Sequence, residues 1–256
     1  MDLLQRTQNE FTRQARNFAA SPAITAAELT ARFVGAVAAG AESTILDVAC
    51  GPGIVTAGIA AKAGAVVAFD LTPEMLTQAR MRCAKAGLTN VRFEQGSATA
   101  LPFPDNSFDG VVTRLSVHHF EAPALVLAEM FRVLKPAGKL VLADVVSSED
   151  AGESQLQNAI EVLRDPSHVR MLPASELAAL IAGVGFVIET ETTWDQKRQF
   201  DEWAAIVDDP QRVAPLRTIV DRLARVGEHA GMGLSVTEGG IGFFHRWYLF
   251  TGRKPG

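Results

Sequence analysis

Short apolar runs alternate with longer amphipathic segments over residues 44–146 of the chain. Such alternation is typical of β-α-β units, in which helices cover a parallel sheet and the crossovers are right-handed. The apolar runs predict five strands, at 45–49, 65–69, 91–94, 110–113 and 139–145. The amphipathic segments predict helices at 54–63, 73–86 and about 125–134, the last of them ended by Pro136-Ala137-Gly138.

The flanking segments follow other patterns. Residues 3–18 and 25–39 have helical periodicity, with a break at Ser21-Pro22. Beyond Ser147 we expect, in order, a polar segment to about Met171, a helix from near Pro173, a sixth strand over 185–192, a helical insertion over 194–229 and an aromatic-rich last strand over 241–251. The sequence therefore predicts one α/β domain over residues 1–256. Its sheet is Rossmann-like, seven-stranded and mostly parallel, with helices on both faces and a helical insertion before the last strand.

Composition narrows the class of protein. Hydrophobic residues make up 48% of the 256 residues, which is enough for a packed core, and the net charge of −5 disfavours nucleic acid as a partner. Cys50 and Cys83 show no ligand or disulfide spacing, so we expect no metal site and a cytoplasmic location. The N-terminus lacks an apolar leader and no stretch reaches about 18 apolar residues, so we expect no transmembrane segment. A peripheral membrane contact and a homodimer remain open.

The first predicted strand runs into Ala49-Cys50-Gly51-Pro52-Gly53, directly before a helix. Glycines at such a turn let a ligand approach the backbone, and Asp70, at the end of the next strand, is placed to accept from both hydroxyls of a ribose. A dinucleotide loop would have a third glycine where this chain has Thr56. Asp47 before the turn suits a ligand with an ammonium and a sulfonium. The pattern therefore favours a nucleoside ligand without a pyrophosphate.

At these residues the chain resembles the class I S-adenosylmethionine-dependent methyltransferases, over roughly residues 11–146. The matching motifs are LDVACGPG, Asp70 at its strand end, GSATALPFPDNSFD and RVLKPAGKLVLAD. Within that superfamily, residues 11–146 are most similar to the small-molecule group that includes ubiquinone and menaquinone C-methyltransferases. The resemblance implies an N-terminal helical lid over residues 1–40, a cofactor-binding core over 41–146 and substrate-covering additions over 147–172 and 194–240.

The resemblance also implies roles around S-adenosylmethionine. Asp47, Ala49, Gly51 and Gly53 would surround its methionine part, Asp70 its ribose, Leu71 and Met75 its adenine, and Thr113, Arg114 and Leu115 its sulfonium. The family usually has an acidic residue at the position of Ser97, where it accepts from the adenine amino group. Ser97 and Ala98 are therefore weaker candidates for that contact in this chain.

Histidine supplies a general base near neutral pH without any shift of its pKa. His118 and His119 follow the fourth strand, at the edge where α/β sites assemble, so we expect one of them to act as a catalytic base or the pair to hold the loop. His168 lies between Arg164 and Arg170, which either bind an anionic substrate or form a solvated, salt-bridged face.

The sequence thus predicts an S-adenosylmethionine-dependent methyltransferase acting on carbon or oxygen of a small apolar or aromatic metabolite, without a metal. The alternatives are a cofactor-binding regulatory or non-methylating protein of the same fold and a methyltransferase of RNA or protein. The segment after the fourth predicted strand reads Thr113-Arg114-Leu115-Ser116, which disfavours the amino-methylating motif of nucleic-acid enzymes.

Overall fold

A computed structural model describes residues 3–256. The strands are β1 (Thr44–Val48), β2 (Ala65–Asp70), β3 (Val91–Gln95), β4 (Phe108–Arg114), β5 (Leu134–Val146), β6 (Val187–Gln199), β7 (Ser235–Thr237) and β8 (Gly240–Arg253). The helices are α1 (Leu3–Ala20), α2 (Pro22–Thr25), α3 (Ala27–Val37), α4 (Ile54–Ala60), α5 (Pro73–Lys85), α6 (Pro123–Val133), α7 (Ala151–Arg164), α8 (Ala174–Val184), α9 (Phe200–Ala205) and α10 (Pro210–Arg225), with a 3₁₀ turn at Val117–His119.

One sheet runs in the order β3-β2-β1-β4-β5-β8-β6. The first five strands are parallel, and β8 pairs antiparallel with both β5 and β6. This confirms the predicted α/β class and the mostly parallel sheet. Because the order reverses at β1 and β4, their carboxyl ends border a crevice in which ligands of such sheets bind.

The prediction of seven strands was wrong, because the sheet has eight. The additional strand, β7, forms a hairpin with β8 in which Thr237 pairs with Gly240 across a two-residue turn. Gly240 has φ +110°, a conformation that favours glycine, and it permits this reversal. Three residues that include Ser235 and Thr237 carry too little apolar alternation to predict a strand.

Helices pack on both faces of the sheet, as predicted. On one face, α6 and α8 place Leu127, Met130 and Ile181 against the apolar side chains of β4 and β5. On the other face, α3 and α4 place Phe33 and Ile59 against β1, β2 and β5. The predicted helices of the core thus form two layers that hold the strand ends in place.

The segment predicted as merely polar contains the helix α7. Asp150 caps it by accepting from the backbone N–H groups of Gly152 and Glu153. Its buried face carries Gln157 and Glu161 beside Ile160, so apolar periodicity could not reveal the helix.

The predicted helical insertion begins too early, because residues 194–199 continue β6 to Gln199. The inward-facing residues of this stretch are Trp194, Gln196 and Arg198, while Lys197 is exposed. A strand whose inner face is polar lacks the apolar alternation that sequence patterns detect. Helices α9 and α10 then follow, and they pack with α7 and β8 around Trp203 in a separate apolar cluster. No described helix is long and apolar enough to cross a membrane.

Candidate functional site

The turn after β1 lies at the carboxyl edge of the sheet. Gly51 and Gly53 have φ of +54° and +73°, which side chains rarely adopt. A Cβ on Gly53 would also lie 2.7 Å from the Cβ of Ala79 in α5, so only glycine lets the turn pack this closely. Residues of the same turn, among them Gly51 and Pro52, line a cavity.

Asp70 ends β2 beside this turn. Its carboxylate accepts from the backbone N–H of Gly51 at 2.8 Å and of Thr72 at 2.9 Å. Burial raises the pKa of Asp70 to about 6, although these hydrogen bonds oppose the shift. Each carboxylate oxygen retains a further acceptor position, so the side chain is fixed and still able to bind hydroxyl groups.

Asp47 and Arg114 bring opposite charges to the same crevice. Thr56 donates to Asp47 at 2.6 Å, and burial raises the pKa of Asp47 to about 7. Arg114 donates through Nη2 to the carbonyl of Ile24 at 3.1 Å, whereas its buried Nη1 has no hydrogen-bond partner among the described residues. Burial lowers the pKa of Arg114 to about 10, and the charge of Asp47 opposes that shift. Both charged groups therefore retain unused hydrogen-bonding capacity.

A cavity of about 340 Å³ extends over this edge and is called the larger cavity. Of the predicted cofactor residues, it is lined by Asp47, Ala49, Gly51, Asp70, Leu71, Met75, Ser97, Ala98, Arg114 and Leu115. Gly53 and Thr113 are not in its lining. Thr113 donates instead to the carbonyl of Val48 at 2.8 Å and is fully buried.

The larger cavity is also lined by residues that sequence reasoning did not select, namely Phe69, Thr99, Phe120 and Glu121. Ser97 and Thr99 share a hydrogen bond between their hydroxyls at 2.8 Å. Residues of α1, among them Phe11 and Phe18, form the roof, where the resemblance implied a lid.

A smaller cavity of about 60 Å³ adjoins the larger one and shares Phe11, Phe18, Leu115 and His119 with it. Its remaining lining mixes apolar and titratable side chains. The latter are His118, Glu161, Arg164, Asp165, His168, Arg198 and His245. Apolar patterning cannot predict a cavity of this polarity.

His118 lines the smaller cavity but not the larger one. Its Nδ1 lies 2.6 Å from Oδ1 of Asp144, a residue that is only 1% exposed at the end of β5. Asp144 also accepts from the backbone N–H groups of Ser116, Val117 and Val145. Burial by itself lowers the pKa of His118, but the charge and hydrogen bond of Asp144 outweigh burial and raise it above its usual value.

His119 and His168 lie beside His118, with ring centroids 4.3 Å and 5.5 Å from it. His119 directs Nδ1 at the carbonyl of Ser167 at 2.9 Å, and burial lowers its pKa to about 4. His168 directs Nε2 at Oδ1 of Asn158 at 3.0 Å, and burial lowers its pKa to about 3. Both rings are therefore neutral at physiological pH.

The charged residues farther from His118 are paired. Glu161 contacts Arg164 and His245, each at 3.0 Å, and Arg198 contacts Glu202 at 3.0 Å. Arg170, considered from sequence as a substrate ligand, pairs on the surface with Glu176. No group of three or more histidine, cysteine or acidic side chains within residues 3–256 is placed to hold a metal ion.

Sequence reasoning missed Asp144, which lies near the carboxyl end of β5 as Asp47 and Asp70 lie near the carboxyl ends of β1 and β2. The recurrence of a buried acid at the carboxyl ends of parallel strands is the signal that would have revealed it. Glu161 and Asp165 gave no such signal, because α7 was not recognised.

The chain matches the family model described as "Methyltransferase domain" over residues 46–142. It is 35% identical to YafE of Escherichia coli K12, described as uncharacterized, over 61% of this chain and 75% of YafE. It is 38% identical to the demethylmenaquinone methyltransferase of Listeria monocytogenes serotype 4a over 46% of this chain and 51% of that protein.

YcgJ of Bacillus subtilis, described as an uncharacterized methyltransferase, is similar in both sequence and structure. The sequences are 35% identical over 64% of each chain. The crystal structure of YcgJ superposes with a TM-score of 0.83 at 28% identity, covering 90% of this chain and 99% of YcgJ. The sequence matches thus span between half and three quarters of these relatives.

Proposed function

The chain belongs to the methyltransferase family, and from that premise we propose that it binds S-adenosylmethionine in the larger cavity and transfers the methyl group to carbon or oxygen of a small molecule. One observation carries the proposal. The larger cavity places Asp47 and Arg114, of opposite charge, in one lining with the ribose-type acceptor Asp70.

The residues of the larger cavity fit this cofactor. Asp47 is a buried acid whose unfavourable desolvation is relieved by a cation, and the cofactor carries an ammonium. The orphaned Nη1 of Arg114 gives a carboxylate a charged donor. Asp70, held by two backbone N–H groups, has acceptor positions left for two hydroxyls.

Leu71 and Met75 also line the larger cavity, and we propose that they supply the apolar contact for a purine that the resemblance implies. The hydroxyl of Ser97 takes the place of the usual acid, so a neutral hydrogen bond replaces a charged one. We therefore propose that the adenine contributes less to affinity in this chain than in relatives that carry the acid.

When bound, the cofactor supplies a methyl group already activated by a positively charged sulfur. This chain's residues align the donor and exclude water, which are the main contributions a protein makes to an in-line transfer. Phe11 and Phe18 cover the junction of the two cavities, so the acceptor meets the methyl group under an apolar roof.

Calorimetry with S-adenosylmethionine and S-adenosylhomocysteine tests the cofactor site. We expect both to bind, and Asp70→Ala to weaken binding by about 1–3 kcal/mol through loss of charged hydrogen bonds. Asp221→Ala is the matched control, because Asp221 lies on α10, pairs with Arg225 and lines neither cavity, and this variant should bind as the wild type does. Absence of binding to the wild type would refute the proposal.

Turnover is tested by release of S-adenosylhomocysteine with a panel of phenols, quinones and β-dicarbonyl compounds. We expect at least one class to be methylated. Tight cofactor binding without turnover on any member would favour a binding or regulatory protein of the same fold.

A further inference from the structure

We infer that the smaller cavity is the acceptor site, that His118 Nε2 is its general base with Asp144 as the positioning residue, and that the acceptor is an oxygen or carbon acid such as a phenol or an enolisable carbonyl. This inference rests on the proposed function, because it assigns the second substrate of the same reaction. It also assigns the general base to His118 and not to the neighbouring His119, and it requires the acceptor to donate a proton.

The tautomer of His118 follows from its partner. Asp144 already accepts three backbone N–H groups and has a pKa below its usual value, so its carboxylate is ionised and accepts from Nδ1–H of His118. The lone pair of the neutral ring then lies on Nε2, on the opposite edge. That nitrogen makes no hydrogen bond to any described residue, and His118 lines the smaller cavity. A buried Asp-His pair with a free ring nitrogen is an arrangement suited to proton abstraction.

His119 and His168 lack such a partner. The Nδ1–H of His119 donates to the carbonyl of Ser167, which carries no charge and cannot stabilise an imidazolium as a carboxylate does. His168 donates from Nε2 to an amide oxygen of Asn158. Both rings therefore remain neutral hydrogen-bonding groups, and His118 is the one ring of the three that holds a proton readily.

The charges around His118 come from several elements. Asp144 lies on β5, Glu161 and Arg164 on α7, and Asp165 directly after α7. Arg198 on β6 and His245 on β8 complete the titratable lining. The negative charge of Glu161, like that of Asp144, raises the pKa of His118, and the positive charge of Arg164 lowers it. Because Glu161 and Arg164 pair with each other, Asp144 decides the protonation of His118.

The acceptor class follows from what this site adds to the reaction. A free amine or an ionised thiolate already has its nucleophilic electron pair, so a carboxylate-backed base would contribute little. A phenol or an enolisable carbonyl must lose a proton before or during attack. Its O–H or C–H proton passes to Nε2 of His118, the electron pair released forms the bond to the methyl carbon, and the methyl–sulfur bond breaks with its electrons left on sulfur. The proton then returns from His118 to solvent.

Binding of 4-nitrophenol to the S-adenosylhomocysteine complex tests this assignment, because the ionised form of this phenol is yellow. A shared proton between the phenol and His118 lowers the apparent pKa of the bound phenol by about 1 unit or more. We expect His118→Gln to abolish the shift, whereas His119→Gln and the distant His229→Gln retain it. Asp144→Asn should reduce it, with long-range ¹H–¹⁵N NMR reporting loss of the Nδ1–H tautomer of His118.

Each outcome is decisive when S-adenosylhomocysteine affinity is measured on the same samples. A complex that binds S-adenosylhomocysteine but not 4-nitrophenol would overturn the acceptor class and leave the proposed function intact. A shift that persists in His118→Gln, or that follows His119, would overturn the assignment of the base. Absence of S-adenosylhomocysteine binding to the wild type would instead refute the cofactor site. Circular dichroism identifies any variant that fails to fold.

Discussion

Asp47 is buried beside Thr56, and its folded pKa of about 7 lies well above the value of 3.8 expected for an exposed aspartate. The folded protein therefore binds one proton more than the unfolded chain between about pH 4 and pH 7, and its stability falls as pH rises through that window. Asp47→Asn should raise the free energy of unfolding by on the order of 2 kcal/mol at pH 8 and leave it nearly unchanged near pH 4. Urea denaturation at both pH values measures this.

The same residue predicts proton release on cofactor binding. An ammonium beside Asp47 favours its ionised form, so binding near pH 6.5 should release a fraction of a proton. Calorimetry in two buffers of different ionisation enthalpy measures the number released. Asp47→Asn should weaken binding and reduce the buffer dependence to the part that Asp70, with a pKa of about 6, contributes. An unchanged dependence would show that Asp47 does not titrate on binding.

Among individual residues, the sequence allowed prediction of those that belong to motifs. Asp47, Gly51 and Asp70 could be placed because each lies near or just after the end of a strand that apolar patterning detects. Asp144 could not be predicted as the partner of His118, because the two residues are 26 positions apart in the sequence. Only the pairing of β4 with β5 brings them together. Hydrogen-bonded pairs of this kind depend on register, which one sequence does not specify.

Helix α1 connects the core to the C-terminal additions. Thr12 donates to Glu74 on α5 at 2.9 Å, and Gln14 donates to the buried Asp165 at 3.1 Å. Phe11 of the same helix packs edge-on against His119 with centroids 4.7 Å apart. The helix is thereby fixed across both cavities.

Phe11→Ala should weaken binding of S-adenosylhomocysteine and 4-nitrophenol by about 1–2 kcal/mol each, because it removes apolar contact from both cavities. Arg16→Ala, on the exposed face of the same helix, is the matched control. Equilibrium binding of each ligand to each variant provides the measurement. A Phe11→Ala variant that loses affinity for one ligand alone would show that the roof serves only that cavity.

Sequence patterns predicted the elements that bury apolar faces and failed where the buried face is polar. Helix α7 buries Gln157 and Glu161, and the end of β6 turns Arg198 inward. These are the elements that supply the charged lining of the smaller cavity. The failure of the pattern therefore coincides with the candidate acceptor site.

Over the whole molecule, the additions are continuous with the core. Strand β8 pairs with β5 over eight residues, and Trp247 on β8 packs in the same cluster as Phe33 and Val141. This continuity favours the single domain that the sequence predicts, and we expect this domain to unfold in one cooperative step.

The positions of the tryptophans make this testable. Trp194, Trp203 and Trp247 all lie in the C-terminal part, so their fluorescence reports on the additions, whereas far-ultraviolet circular dichroism reports on the entire chain. We expect the two signals to follow one urea transition. Separate midpoints would identify the C-terminal part as an independent folding unit.

A shared roof also has a kinetic consequence. Because Phe11 and Phe18 line both cavities, we expect donor and acceptor to enter and leave through the same opening beneath α1. The hydrogen bonds from α1 to Glu74 and Asp165 are then expected to break whenever donor or acceptor is exchanged. We therefore expect the opening that frees the spent donor, and not methyl transfer itself, to limit turnover, as product release does in many enzymes. The steady-state rate is then expected to fall with solvent viscosity, while the rate of a single methyl transfer in the closed complex does not.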